Sequence, residues 1–351
     1  MTMQPAPNDP GQDRPDNHAR SAGKAAAGQR LSDAHTTGAG GGSSLIERRP
    51  ITDRAEWLQW RLSDVTASDV SALFGVHPYG RTALSVWAEK SGLTEGLADS
   101  PILRRGRWAE PAVLAMLADE RPTWQIRPAK IYLRDPLVRL GGTPDAVAID
   151  PERPGVGLVQ LKTATERVYE RDWLGGEPPI GYQLQALTEA MLAGASWAAI
   201  AALIMDASAG WEPVIFDLAR HEQAEERIRA RVARFWSDLE AGMMPAVDPE
   251  LDAETVAAVW PKALIKAPTL DLSGDNALSG MLTTRATLAR LAKDAGKQID
   301  AIETAVKAKL GEHERAEAPG WAITWKNQHR DAYTAPPADF RVLRIKPTKE
   351  R

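Results

Sequence analysis

Cysteine is absent from the 351-residue chain, which rules out disulfides, cysteine-ligated zinc and thiol catalysis and is compatible with a reducing compartment. A long hydrophobic run is missing too. The longest weakly polar stretch, 186–205, is alanine-rich, contains Glu189 and is interrupted by Gly194, so it predicts a buried helix followed by a strand and not a membrane span. The N-terminus has no charged segment leading into an apolar one, so no secretory signal is expected. Nor is there an excess of positive charge: the net charge is −4, and any nucleic-acid footprint has to be local. Residues 1–45 have no aromatic residue and almost no large aliphatic one. Such a segment is expected to be a disordered tail, because it can bury too little to offset the entropy of ordering.

What is present, at 43% hydrophobic residues, is enough to bury one large domain with attachments. The chain is organised around Gly141-Gly142-Thr143-Pro144-Asp145 and the later Gln160-Leu161-Lys162. Between them an apolar segment, 146–150, a Pro/Gly turn over 151–157 and Leu158-Val159 predict a β-hairpin. Residues two apart on a strand share a face, so Gln160 and Lys162 point together while Leu161 turns into the core. A carboxylate, a second oxygen and an ammonium converging on one point suit metal-assisted hydrolysis of a phosphodiester. Oxygen ligands hold Mg²⁺, and the lysine helps to generate or steady the attacking hydroxide.

Upstream, 52–61 predicts a helix opened by an Asp or Thr cap, and Thr66 or Ser68 caps a second that ends near Gly75. Hydroxyls at a helix N-terminus with Arg61 nearby form a ready anion site. Residues 103–117 have helical spacing, with Glu110 flanked by arginine. From Arg104 to Arg139 there are eight Arg or Lys against four Asp or Glu, a modest local positive excess. Residues 180–194 predict a helix closed by Gly194; 197–205 and 213–218 predict strands, and 222–240 a helix with an apolar stripe. Gln183 and Gln185 do not share a helix face, so at most one of them looks into a site. A Pro- and Asp-rich connection, 246–275, precedes a near-heptad pattern over 277–314, read as a helical hairpin or arm broken near Gly296 and suited to a core or subunit contact. Two short strands are expected at 321–325 and 340–346.

These motifs, in this order, resemble the lambda exonuclease and YqaJ viral recombinase family of the PD-(D/E)XK nuclease superfamily. The resemblance rests on Trp57-Leu-x-x-Arg61 followed by Val-Thr-Ala-Ser68, on the Gly106 to Pro111 segment around Glu110, on Asp145 with Gln160-x-Lys162, and on Tyr182-Gln183-Leu-Gln185. It covers about 57–245, with one departure, Gln160 where an acidic residue is usual. It implies an α/β fold with a restriction-endonuclease-like core, a mixed central sheet flanked by helices. The division implied is a tail 1–45, a nuclease domain 46–245, a linker 246–275, and an arm with C-terminal strands 276–351. The activity implied is a 5′ to 3′ exonuclease on linear double-stranded DNA that leaves 3′ overhangs, with Mg²⁺, replaceable by Mn²⁺. Glu110, Asp145, the Gln160 side chain and the Leu161 carbonyl are then metal ligands, Lys162 orients or deprotonates the water, and Gln183 lies beside the metal. Trp57 lies against DNA; Arg61, Ser68 and Thr143 hold the terminal 5′-phosphate. The partners implied are duplex ends, a single-strand annealing recombinase and, in lambda-like members, two further copies in a trimer, with no membrane and in the cytoplasm. Two alternatives remain open: an inactive end-binding protein, and a related nuclease acting on single strands or endonucleolytically.

Overall fold

In the computed structural model, residues 46–96, 100–206, 210–332, 337 and 341–345 are described; the tail 1–45 lies outside them. The order is β1 (Glu47–Pro50), α1 (Arg54–Ser63), β2 (Val65–Thr66), α2 (Ala67–Leu73), α3 (Ala83–Lys90), α4 (Pro101–Glu120), β3 (Gln125–Pro128), β4 (Ile131–Asp135), β5 (Leu140–Gly142), β6 (Ala146–Ile149) and β7 (Gly157–Thr165). It continues through α5 (Glu166–Asp172), α6 (Ile180–Ala193), β8 (Trp197–Asp206), β9 (Gly210–Leu218), α7 (Glu222–Glu240), α8 (Ala253–Val259), α9 (Asn276–Leu310), β10 (Arg315–Ala318) and β11 (Trp321–Thr324). Among the described residues no helix is long and apolar enough to cross a membrane.

The chain divides after Trp260 into two compact units. The first is α/β, with a five-stranded mixed sheet in the order β3-β6-β7-β8-β9, where only β7 and β8 run parallel. Alternation on β8 explains its two helical faces. Ala199, Ala201 and Leu203 pack with Val113 and Leu117 of α4, while Ile200, Ala202 and Ile204 pack with Tyr182 and Ala186 of α6. Small alanines on the central strand let both helices close on the sheet. A mixed central sheet flanked by helices is the α/β arrangement expected from the sequence.

A second sheet, β1-β4-β5-β2, brings the N-terminal segment to the hairpin. Thr66 pairs in parallel with Gly141, so the start of α2 lies beside the strand that leads into Thr143. Glycine is required at 141, where a Cβ would strike the Tyr132 hydroxyl, and a Cβ at Gly142 would stand a tight 3.2 Å from Glu189 Cγ and Leu192 Cδ1 of α6. The expected hairpin forms as β6 and β7, antiparallel, with Ala146 opposite Val159.

The second unit holds α9 and the β10-β11 hairpin. Here the structure departs from the pattern reading twice. Helix α9 runs without a break through Gly296, because one glycine within a helix costs only about 1 kcal/mol relative to alanine, too little to stop a helix flanked by strong helix formers. Residues 341–345 are not a strand; the flanking residues 340 and 346 lie outside the described set. The connection 246–275 is also not wholly irregular, since it contains α8.

Candidate active site

Two side-chain clusters meet at the 141–145 turn. The inner one centres on Asp145, in the bend before β6. Its Oδ2 accepts a 2.8 Å hydrogen bond from the Leu161 backbone N–H and a second, short one from Gln160 Nε2. These tie the bend to β7 and point one amide hydrogen of Gln160 at the carboxylate. Gln160 is 3% exposed, and its Oε1 is buried with no hydrogen-bond partner among the described residues. Lys162, on the same face of β7, donates to Gln185 Oε1 at 3.1 Å and lies 4.9 Å from the Tyr182 ring centroid. Gln185 Nε2 in turn donates to Glu189 Oε1 at 3.1 Å. A relay therefore runs from β7 into α6.

The electrostatics follow from burial. Desolvation raises the Asp145 carboxyl above the ordinary aspartate value, opposed by Lys162 and by the bonds from Leu161 and Gln160. The same cause lowers the Lys162 ammonium, against the pull of Asp145, Glu189 and Glu110. Glu189 is raised well above the usual glutamate range, first by burial and then by the like charge of Asp145; Gln185, Lys162 and Arg61 work the other way. Glu110, on α4, is raised by desolvation and by Asp145, and lowered by Arg107 and Lys162. Glu110 is an exposed residue of α4 on which the charges of both Asp145 and Lys162 act. Lysine and carboxylates pushed off their ordinary values in one place mark a site poised for proton handling.

The outer cluster contains Trp57, Arg61, Ser68 and Thr143. Trp57 Nε1 donates to Thr143 Oγ1 at 3.0 Å. The Arg61 guanidinium lies over the Trp57 ring, 4.9 Å from its centroid, and donates to Ser68 Oγ at 3.4 Å. Thr66 Oγ1 and Ser68 Oγ are 2.9 Å apart. The local fold produces this: Asp53 caps α1 by accepting from Glu56 N at 2.8 Å, and one turn of helix separates Trp57 from Arg61. A cation held flat on an indole beside two hydroxyls is suited to a phosphate oxygen.

Gln183 is placed elsewhere. Its Nε2 donates to the Pro178 carbonyl at 2.8 Å, securing the start of α6, and the glutamine at Lys162 is Gln185. Glu189 had no separate signal in the sequence beyond its polarity inside an alanine-rich helix. With Gln185 one helical turn before it and Lys162 waiting on the strand, the i, i+4 pair was the legible clue.

No set of three or more His, Asp or Glu has metal-holding geometry among the described residues. The donor set instead combines the Asp145 and Glu110 carboxylates with amide and backbone oxygens, a chemistry that suits Mg²⁺ or Mn²⁺. The buried, unpartnered Oε1 of Gln160 beside Asp145 fits such an ion, since an orphaned acceptor is costly unless something occupies it.

Residues 56–196 match the family described as the YqaJ-like viral recombinase domain. No curated protein matches the chain. Among solved structures, an alkaline exonuclease from Laribacter hongkongensis is similar at 20% identity, over 54% of this chain and 93% of that one, with a TM-score of 0.43. A phage-related exonuclease from Haemophilus somnus 129PT is similar at 12% identity, over 51% and 96%, with a TM-score of 0.32. The matched segment runs from the helix of Trp57 and Arg61 through the hairpin of Asp145 and Lys162 to the relay of Gln185 and Glu189, and over it the chain is similar to that family.

Proposed function

We propose that the chain is a metal-dependent exonuclease of the phage recombination type, acting 5′ to 3′ on linear double-stranded DNA and leaving 3′ overhangs for an annealing partner. The observation that carries this reading is the meeting of two clusters on one turn, with Thr143 in the cation-and-hydroxyl group and Asp145 in the Lys162 group. Asp145, Glu110, the Gln160 side-chain oxygen and the Leu161 carbonyl would hold the ion. When bound, Mg²⁺ supplies charge to polarise the scissile phosphodiester and to lower the pKa of a water. Lys162, lowered by burial, orients the water or takes its proton at Nζ, and Gln185 holds the ammonium in place. Arg61, Ser68 and Thr143 hold the terminal 5′-phosphate, and Trp57 supports the guanidinium as a flat base. The resemblance to lambda-like enzymes further suggests work in the cytoplasm and a homo-oligomer of their type.

Gln160 motivates a second reading, an end-binding protein without hydrolysis, because one ligand carries no charge. Digestion of 5′-phosphorylated and 5′-hydroxyl linear duplex, with closed-circular and single-stranded controls in Mg²⁺ or EDTA, separates the readings. Metal-dependent loss of the 5′-phosphorylated strand alone supports the exonuclease. End-selective binding without cleavage supports the second reading, and cutting of circles or of single strands overturns the end-directed assignment.

A further inference from the structure

Helix α1 carries a second arginine that the outer cluster leaves without work. Arg54 is the first residue of the helix and is exposed. Its guanidinium carbon lies 5.7 Å from the Trp57 ring centroid, so the indole that supports Arg61 at 4.9 Å supports two guanidiniums. Helical geometry produces this, since Arg54 stands three residues before Trp57 and Arg61 four after it, the spacings at which side chains of one helix meet. Beyond that ring contact Arg54 has no hydrogen bond or ion pair among the described residues. The carboxylates nearby do not answer it. Asp53 Oδ1 is taken up as the helix cap, accepting from Glu56 N–H at 2.8 Å, and Glu56, two residues on, projects from another side of the helix.

The helix treats its two arginines differently. Arg61 is in the last turn, where the backbone dipole favours a cation, whereas Arg54 opens the first turn, where the dipole disfavours one. The two guanidiniums also repel each other across a single ring. Both effects work against the free protein, and an anion beside the two cations reverses both. A side chain placed against the electrostatics of its own helix points to use in a site and not in folding. We propose that Arg54 binds a second phosphate of the DNA end, the internucleotide phosphodiester next to the terminal phosphate that Arg61 holds. The inference rests on the end-directed reading of the outer cluster. Sharing one indole keeps the two guanidiniums close, so the phosphates they address are neighbours on the strand. An internucleotide phosphodiester is present whether the end is phosphorylated or not. Arg54 therefore contributes affinity without selectivity, and Arg61 contributes the selectivity.

Binding of the full chain to 5′-phosphorylated and 5′-hydroxyl duplexes in EDTA, followed over a range of salt, tests this without turnover. Arg54→Gln is expected to weaken binding to both duplexes by the same factor. The slope of log affinity against log salt should become shallower by about 0.9, so that the wild-type advantage shrinks about threefold between about 50 and 200 mM salt. Arg54→Lys keeps the charge and is expected to keep the wild-type slope. The urea midpoint of Arg54→Gln should stay or rise, since the substitution removes a cation from the start of the helix. An unchanged slope in Arg54→Gln overturns the proposal, as does a loss confined to the phosphorylated duplex. So does a urea midpoint that falls in step with binding. A wild type that binds the two ends alike overturns the end-directed reading and this inference with it, whereas a selective wild type with an unaltered slope in Arg54→Gln overturns this inference alone.

Discussion

The two clusters that meet at the 141–145 turn are built on opposite physical terms. Around Lys162 the groups on β7 and α6 are buried or half-buried, Asp145, Lys162 and Glu189 are displaced from their ordinary values by desolvation, and Gln160 Oε1 is buried without a hydrogen-bond partner among the described residues. Around Arg61 the elements are an aromatic face, two hydroxyls and a guanidinium at the edge of the smaller sheet, joined by ordinary hydrogen bonds and a cation–π contact. The inner cluster is therefore tuned by protons and by whatever occupies it, whereas the outer one is tuned by what docks against it. Removing an inner residue should alter the chemistry; removing an outer one should alter the choice of substrate.

The largest effect is expected inside. Lys162→Ala should lower the cleavage rate by about 10²–10⁴-fold, the range for loss of a positioned acid or base, while filter binding to duplex ends persists. Loss of rate and of end binding together would erase the distinction between the clusters. Next comes Arg61→Ala, which should remove the preference for 5′-phosphate over 5′-hydroxyl ends. A charge-assisted contact contributes about 1.5–3 kcal/mol, or a roughly tenfold to hundredfold difference between the two rates. A preference that survives in Arg61→Ala would place end recognition elsewhere.

Gln160→Glu should sharpen the inner cluster by adding a negative charge where an unpartnered oxygen now stands. The Mg²⁺ concentration for half-maximal rate should fall by about tenfold, the worth of roughly 1.4 kcal/mol, with end preference unmoved. Titration of Mn²⁺ followed by electron paramagnetic resonance reads the same change without turnover. Equal metal dependence in both proteins would remove Gln160 from the ligand set.

The smallest effect concerns protons in the metal-free protein. Glu189 is raised on folding, so the native state binds its proton more tightly than the unfolded chain does. The stability it contributes is present at low pH and is lost as pH rises from the ordinary glutamate range through the raised value. Glu189→Gln keeps an oxygen for the Gln185 amide and cannot ionise, so its urea midpoint should decline less over that rise than the wild-type midpoint does. Parallel declines would show that Glu189 is not the titrating group.

The legible part of this site is the part that local periodicity controls. Asp145, Gln160 and Lys162 were readable because a strand has a period of two and a turn separates the two arms. Trp57 and Arg61 were singled out by the resemblance of Trp57-Leu-x-x-Arg61 to the family's motif, and one helical turn links them. The choice between Gln183 and Gln185 was not, since it depends on the phase with which α6 docks. That phase is set by a contact distant in sequence: Gly181 lies so near Val76 and Pro78 that a Cβ would come within 2.6 Å of the Val76 carbonyl. Gly296 misled for the opposite reason, because a local breaker was weighed without the long, strongly helical segments on either side.

Thr143 and Asp145 stand two residues apart in the short link between β5 and β6, one facing the Trp57 indole and the other the Leu161 amide. Two residues of chain span at most about 7 Å. On the proposed function that dipeptide is a gauge: the end that is gripped and the bond that is attacked are set apart by backbone, which side-chain motion cannot stretch. Pro144 between them stiffens the gauge further, since its ring removes one of the two soft torsions of that residue. A single residue inserted after Thr143 would leave both clusters chemically whole and put them out of measure with each other.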